Sequence, residues 1–318
     1  MNLIDGYRYL AALQQHRHFG RAAAACHITQ PALSNALRAL EQHFGISIVR
    51  RGRQYEGLTP EGELLMSAAH RILREQEMLV QQLAGSAQHP SGGLVIGAVP
   101  TALPIAARFC SLLVQRHPGL QPVLQSLSSQ DLETGLDTLA VDLGLGYTSR
   151  LSVAASRRLQ AWPQYVEHYH LLRRTDEAAP RLPRLQFGAP LRWSDAATLP
   201  MCMLSPEMHN RVILDQVFAG LGLKVRPALE TNSVAALLAA VQAGPLAAVL
   251  PGALVATLTG HGGLEARTLI EPELRTPIGF MAATGAPQPR ALQAALDLAA
   301  DPGWLTDAEA HSGPLQAV

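Results

Sequence analysis

Lysine is all but missing from this chain: Lys224 is the sole one among 318 residues, and arginine supplies the remaining positive charge. Beside so much alanine, this reads as genomic base composition rather than chemistry. Cysteine is also scarce. Cys26, Cys110 and Cys202 form no metal-ligand spacing and no disulfide framework, which excludes a zinc- or disulfide-stapled domain and suits the reducing cytoplasm. Residues 231–264 lack Asp, Glu, Lys and Arg. Gly244-Pro245 and Pro251-Gly252 cut that run into pieces too short for a membrane span of about 20 residues, so no membrane partner is expected. Asp5 and Arg8 occupy an amino terminus without the apolar core of an export signal. Walker, GxGxxG, HExxH and GxSxG patterns are absent, and scattered Ser, His and Asp make no triad without geometry. No cofactor, metal site or catalytic residue is expected.

What is present is an uneven charge. Residues 1–60 hold seven arginines against Asp5, Glu41 and Glu56, an excess that the acidic remainder cancels to a net charge of zero. A basic head on an acidic body fits nucleic-acid binding by the head. Within it, Thr29 is a good N-cap before Gln30 and Pro31, and Pro31 suits a first turn whose amides lack intrahelical partners. From Gln30 the apolar positions Leu33, Ala36, Leu37 and Leu40 recur at helical spacing and turn Gln30, Ser34, Asn35 and Arg38 outward. Residues 21–26 are nearly all alanine, letting a second helix pack closely across a turn at His27 and Ile28. That is helix-turn-helix geometry. Residues 46–58 predict a two-stranded wing with a basic tip. The candidate DNA-binding residues are Gln30, Pro31, Ser34, Asn35, Arg38, Arg50, Arg51 and Arg53. Helix-turn-helix shapes also occur without DNA; the basic wing argues against that alternative.

Thr59, Pro60 and Glu61 open another helix with a cap, a first-turn proline and an acid at the positive end of the dipole. Leu65, Ala69, Ile72, Gln76, Leu79 and Leu83, widened by Leu64, Ala68, Leu73 and Val80, give it an apolar stripe longer than a small head can cover. A dimerisation helix is expected, the alternative being a helix packed on its own chain. After the break at 89–93, strands alternate with helices: strands at 94–99, 121–127, 141–147, 168–173, 199–204, 225–230, 246–250, 265–270 and 278–283, and helices at 105–115, 130–139, 210–221, 234–243 and 290–300. The fold class is α/β, with an N-terminal winged helix-turn-helix, a long linker helix and a two-lobed body. The expected boundaries are 1–59, 60–89 and 90–318, with lobe I at 90–162 and 265–318 and lobe II at 163–264.

The chain resembles the LysR-type transcriptional regulators. The resemblance is carried by Phe19, Ala22 and Ala23, by Thr29-Gln-Pro-Ala-Leu-Ser34, Leu40-Glu41, Phe44-Gly45, Arg51 and Leu58-Thr-Pro-Glu-Gly62. In the body it continues through Leu94-Val-Ile-Gly97, Val141-Asp-Leu-Gly144, Ala240-Val-Gln-Ala-Gly244 and Val249-Leu-Pro251. Two departures are visible: Ile48-Val49 replaces the usual Leu-Phe, and Phe19-Gly20 replaces the usual hydroxyl-bearing cap. The resemblance implies a body like a periplasmic binding protein, with double-stranded promoter DNA, a small-molecule effector and RNA polymerase as partners. It also implies a homodimer through the linker helix, assembled as a homotetramer, and a promoter bend that changes on effector binding. His16-Arg-His-Phe-Gly20, Val49-Arg-Arg-Gly-Arg53 and Leu127-Ser-Ser-Gln130 resemble a subgroup found beside formate dehydrogenase genes.

Two-lobed α/β bodies bind ligands between the lobes, where strand ends and helix N-termini converge. Pro100, Thr101, Ser128, Ser129, Ser205 and Asn232 sit at such ends, with Met203 on an adjoining strand and Tyr147 and His209 as wall residues. Helix N-termini favour anions, so a small carboxylate is the expected effector. Ordinary helix capping explains each hydroxyl taken alone. Peroxide-sensing members of the family use a cysteine pair in the second lobe, which leaves redox sensing through Cys202 as an alternative, beside a two-lobed enzyme or a solute-binding protein.

Overall fold

The computed structural model describes residues 2–51, 55–83, 90–152, 155–175, 183–284 and 288–312. They divide into a unit of Met1–Gln88 with Asp137–Ala140, and a unit formed by the rest.

In the first unit, α1 (Leu3–His16), α2 (Phe19–Ala25) and α3 (Gln30–Phe44) are followed by β1 (Val49–Arg51), β2 (Tyr55–Leu58) and α4 (Pro60–Leu83). Each helix has a local reason to begin. Asn2 caps α1, Thr29 accepts from the Ala32 amide at 3.4 Å, and Thr59 accepts from the Gly62 amide at 2.9 Å. The cap missing from Phe19-Gly20 is replaced by His18, whose Nδ1 accepts from the Gly20 and Arg21 amides at 3.1 and 3.3 Å. An imidazole nitrogen there satisfies the same orphan donors as a hydroxyl. Gly45 ends α3 at φ 66°, a left-handed geometry that glycine adopts without strain. The Glu41 side chain then accepts from the Ile48 amide at 2.9 Å, tying the wing to the recognition helix.

Leu10, Leu13, Leu33, Leu37, Leu40, Met66 and Ala69 form the core of this unit. The expected single stripe on α4 therefore divides. Leu65, Met66 and Ala69 point into the core, whereas Leu64, Ile72, Leu79 and Val80 are exposed.

The second unit runs β3 (Ser91–Ala98), a 3-10 turn (Pro100–Ala102), α5 (Leu103–Arg116), β4 (Gly119–Ser126), α6 (Ser129–Asp137), β5 (Leu143–Tyr147) and β6 (Leu159–Arg174). It continues with β7 (Gln186–Phe187), β8 (Leu191–Arg192), α7 (Trp193–Ala196), β9 (Cys202–Leu204), α8 (His209–Gly220), β10 (Leu229–Thr231), α9 (Val234–Ala243), β11 (Ala248–Pro251), α10 (Gly252–Ala256), β12 (Leu264–Ile270), β13 (Arg275–Ala283), α11 (Arg290–Ala299) and α12 (Pro302–Ala310). The first sheet places β4, β3 and β5 in parallel and adds β13 and β6 antiparallel. Phe109 stacks on Phe280 and Trp304 at 4.4 and 5.0 Å beneath it. The second lobe is built on β6, β11 and β12, with β9 and β10 as a separate parallel pair.

Two sequence expectations are corrected. The strand expected at 168–173 is the second half of β6, which pairs with β13 from Leu159 to His168 and with β11 and β12 from Tyr169 to Arg174. Pro163 hides the first half, because proline usually argues against an inner strand. Here the register shifts beside it, and Gln164 folds back to donate to the Trp162, Pro163 and Ala299 carbonyls. The second correction concerns the lobe boundary: β12, assigned by sequence to lobe I, pairs with lobe II strands, and the return to lobe I begins at β13. Alternation identifies a strand but not the sheet it joins.

Gly62 has no room for a side chain, since a Cβ there would run into the Ile48 carbonyl oxygen. Gly62→Ala should therefore destabilise the DNA-binding unit by about 1–3 kcal/mol, the usual cost of overpacking. Thermal unfolding reads this directly, and an unchanged midpoint would contradict the packing described.

Candidate functional site

Helix α3 presents Gln30, Pro31, Asn35 and Arg38 to solvent, with Ser34 half-buried beside them. Arg38 Nη1 donates to Asn35 Oδ1 at 3.4 Å, so the two are held as a pair at the helix surface. Forked and amide side chains of this kind are shaped to read guanine and adenine edges in a major groove. Arg50 is exposed on β1, beside the recognition helix through the Glu41 link. Arg53 lies outside the described residues, as does the side chain of Arg51.

The second candidate is a cleft in the body, lined by Val99, Pro100, Thr101, Ser128, Ser129, Tyr147, Leu204, Met208, His209 and Asn210. With the solvent at its open mouth included, it encloses about 230 Å³. Three helical starts meet there: Pro100 leading into α5, Ser129 opening α6 and His209 opening α8. Ser128 caps α6, its Oγ accepting from the Asp131 amide at 3.1 Å, whereas no side chain caps α8. Thr101 Oγ1 and the Tyr147 hydroxyl share a buried hydrogen bond of 3.0 Å.

Among the described residues no acidic side chain lines the cleft, although Ser128 donates to Asp131 at 2.7 Å. Arg150 donates to His209 Nδ1 at 3.1 Å and to Glu133 at 2.8 Å. Since arginine only donates, His209 accepts at Nδ1 and its proton resides on Nε2. Burial and then the Arg150 guanidinium push the His209 pKa down, so the ring is a neutral donor. Asn210 is 4% exposed, and its Nδ2 makes no hydrogen bond of good geometry, though the amide lies close enough to the Tyr147 hydroxyl to act on it. A buried amide donor left unmatched costs free energy until something accepts from it.

Of the residues expected in the cleft, Pro100, Thr101, Ser128, Ser129, Tyr147 and His209 line it. Met203, Ser205 and Asn232 do not. Met203 is buried in the hydrophobic core, Ser205 donates to Glu207 at 2.6 Å, and Asn232 is exposed. The residues 205–208 separate β9 from α8, so the start of α8, rather than the strand end, reaches the cleft. Asn210 was missed although it follows His209; as a polar residue in a first turn it read as ordinary helix surface.

Behind Tyr147 lies a second layer. Tyr165, Glu167 and Tyr169 alternate along one face of β6, all buried, and Glu167 Oε2 accepts from the Tyr169 hydroxyl at 3.1 Å. The Tyr169 hydroxyl also meets Thr276 Oγ1 at 3.2 Å. Glu167 Oε1 and the Tyr165 hydroxyl have no partner. Burial pushes the Glu167 carboxyl up to about 8, with only the Tyr169 hydrogen bond pulling it down. Cys202 stands apart: it is buried in the core of the second lobe, burial raises its thiol pKa, and no cysteine lines the cleft.

Two family descriptions match the chain: a LysR substrate binding domain over residues 87–302 and a bacterial regulatory helix-turn-helix protein, lysR family, over residues 4–63. A similar curated protein is the DNA-binding transcriptional dual regulator OxyR of Escherichia coli (strain K12), 36% identical over 143 residues, 45% of this chain and 47% of that protein. Another is the SDS degradation transcriptional activation protein of Pseudomonas sp., 31% identical over 173 residues, 52% of this chain and 56% of that protein. These matches span about half the length of the curated relatives. Among solved structures, full-length OxyR from Pseudomonas aeruginosa aligns with a TM-score of 0.66 at 24% identity, covering 92% of this chain and 96% of that one. Full-length CbnR complexed with its target DNA aligns at 0.64 and 16% identity, covering 96% and 99%.

The buried Glu167 carboxyl makes stability depend on pH. Its folded-state pKa of about 8 lies above the ordinary 4.5, so between these values the folded protein holds a proton that the unfolded chain has lost. Stability therefore falls as pH rises from about 4.5 to about 8. Glu167→Gln cannot titrate, and its stability relative to wild type should grow by on the order of a few kcal/mol between pH 5 and pH 8. Parallel melting points of the two proteins across that range would contradict the assignment.

Proposed function

The chain belongs to the LysR family of bacterial regulatory helix-turn-helix proteins, and on that premise we propose that it is a promoter-binding regulator controlled by a small anion held in the body's cleft. The observation that carries this reading is the cleft's inventory: helical starts, the neutral donors of His209 and Asn210, the Thr101–Tyr147 hydroxyl pair and no acid in the lining. Dipole and free amides together favour negative charge at a helix N-terminus. Formate is the first candidate, in keeping with the subgroup that residues 16–20, 49–53 and 127–130 resemble.

On the DNA side, Gln30, Ser34, Asn35 and Arg38 read base edges in the major groove, while Arg50, with Arg51 and Arg53, holds phosphate. Two copies pair along the exposed stripe of Leu64, Ile72, Leu79 and Val80 on α4, because an apolar helix face of this length is stabilised by a partner helix. Dimers of such dimers give the tetramer. Peroxide sensing, which the names of several relatives suggest, finds less support here. The thiolate is the reactive form of cysteine, and burial of Cys202 disfavours it.

Differential scanning fluorimetry with formate, acetate and other small carboxylates tests the effector, because a ligand that binds only the folded state raises its melting point. Formate should raise it, Asn210→Ala should abolish the rise, and Cys202→Ser should keep it. Failure of every carboxylate tested would remove the anion reading. For DNA, Arg50→Ala should weaken binding to all sequences alike and lower the salt slope by about one. Asn35→Ala should instead cost about 1–3 kcal/mol at particular base positions. Mobility shifts at graded salt distinguish the two, and an Arg50→Ala protein with altered sequence preference at unchanged affinity would contradict the wing assignment.

A further inference from the structure

Glu167 lies just before the point between His168 and Tyr169 at which β6 changes partners. It faces Thr276 of β13, while Tyr169 faces Pro251 of β11 and His170 faces Thr268 of β12. Any change in the angle between the lobes bends β6 here. The carboxyl lies on the same face as Tyr165 and Tyr169 and acts electrostatically on Tyr147, which lines the cleft. It is thus one side chain behind the place where the anion would be held.

We propose that Glu167 makes anion binding proton-linked, the cleft accepting its anion while this carboxyl carries its proton and releasing it when the proton leaves. The inference rests on the anion reading above and adds its regulation. Two negative charges so close repel, the more so because the Glu167 carboxyl is fully buried, so binding of the first disfavours ionisation of the second, and the reverse holds equally. Oε1 has no partner, and no cationic side chain figures among the groups that shift the carboxyl, so nothing in the described residues offsets its charge once it forms.

The surrounding groups leave the pH window around neutrality to this residue. From β5, Tyr147 is pushed well above 10, and from β6, Tyr165 and Tyr169 likewise, by burial and by Glu167 itself. On the other face of β6, burial lowers His168 and takes His170 down to about 4. From α8, Asn210 does not titrate and His209 is lowered, with Arg150 and Glu133 beyond it at the rim. From β13 comes the Thr276 hydroxyl, and from the turn before α5 the Thr101 hydroxyl, neither of which titrates. Glu167 alone, at about 8, changes charge between pH 7 and pH 9.

The test is isothermal titration of the full chain with sodium formate, and in parallel sodium acetate, at pH 7 and pH 9 in two buffers of different ionisation enthalpy. Wild type should bind about tenfold more weakly at pH 9 than at pH 7, and should take up close to one proton per anion at pH 9. Glu167→Gln should bind equally at both pH values with no such uptake. Binding of equal strength at both pH values in wild type, or the same fall in Glu167→Gln, overturns the proposal while leaving the anion reading intact. Binding of neither anion at pH 7 overturns the anion reading, and the proposal with it. Should Glu167→Gln fail to fold, the proton count of the wild type decides.

Discussion

An unbroken strand from Leu159 to Arg174 belongs to two sheets at once, and the body of this protein is arranged around that sharing. Its first part is locked to β13 and its last part to β11 and β12. Backbone hydrogen bonds to β13 along its first part and to β11 and β12 along its last make the strand costly to break, so the lobes are tied together through it. The cleft is walled by Tyr147 of β5 and by the first turn of α8 with His209 and Asn210, and Tyr165, Glu167 and Tyr169 of β6 form a buried layer behind Tyr147. The wall residue Tyr147 backs onto the Glu167 layer of β6, which gives a ligand that favours one arrangement of the lobes a path to express that preference.

The polar composition of that layer costs stability. A poorly matched Asn210 amide, a Tyr165 hydroxyl without a partner and a buried carboxyl kept neutral are each less favourable than apolar packing. Their concentration at the cleft and its floor, against hydrophobic cores elsewhere, is the distribution expected where binding rather than stability sets the residues. The thiols show the opposite pattern. Cys202 has been absorbed into a core, where burial suppresses its reactivity.

Much of this was legible in the amino-acid sequence because local rules decided it. Thr29, Pro31, Gly45, Thr59 and Pro60 punctuate the head, and the alternation of apolar runs with helical stripes marks the α/β body; the LysR family match agrees with both. What stayed hidden was set by tertiary neighbours. Pro163 concealed half of β6, β12 gave no sign of which sheet it would join, and His18 was not read as a cap because imidazole rarely serves as one. Six expected cleft residues do converge, since helix and strand ends are predictable. Asn210 and Glu167 were not found, because a first-turn amide and a strand carboxylate become unusual only once their burial is known. Met203, by contrast, was placed in the cleft because strand alternation does not say which face meets a ligand.

The account's central claim is that occupancy of the cleft alters what the paired heads do to DNA. The most direct measurement is the end-to-end distance of a dye-labelled fragment of the upstream DNA bound by the full chain, read by fluorescence resonance energy transfer while sodium formate is added. A transfer efficiency that shifts with formate and saturates with cleft occupancy is the predicted result. An efficiency that stays constant while calorimetry reports the cleft filled would contradict it.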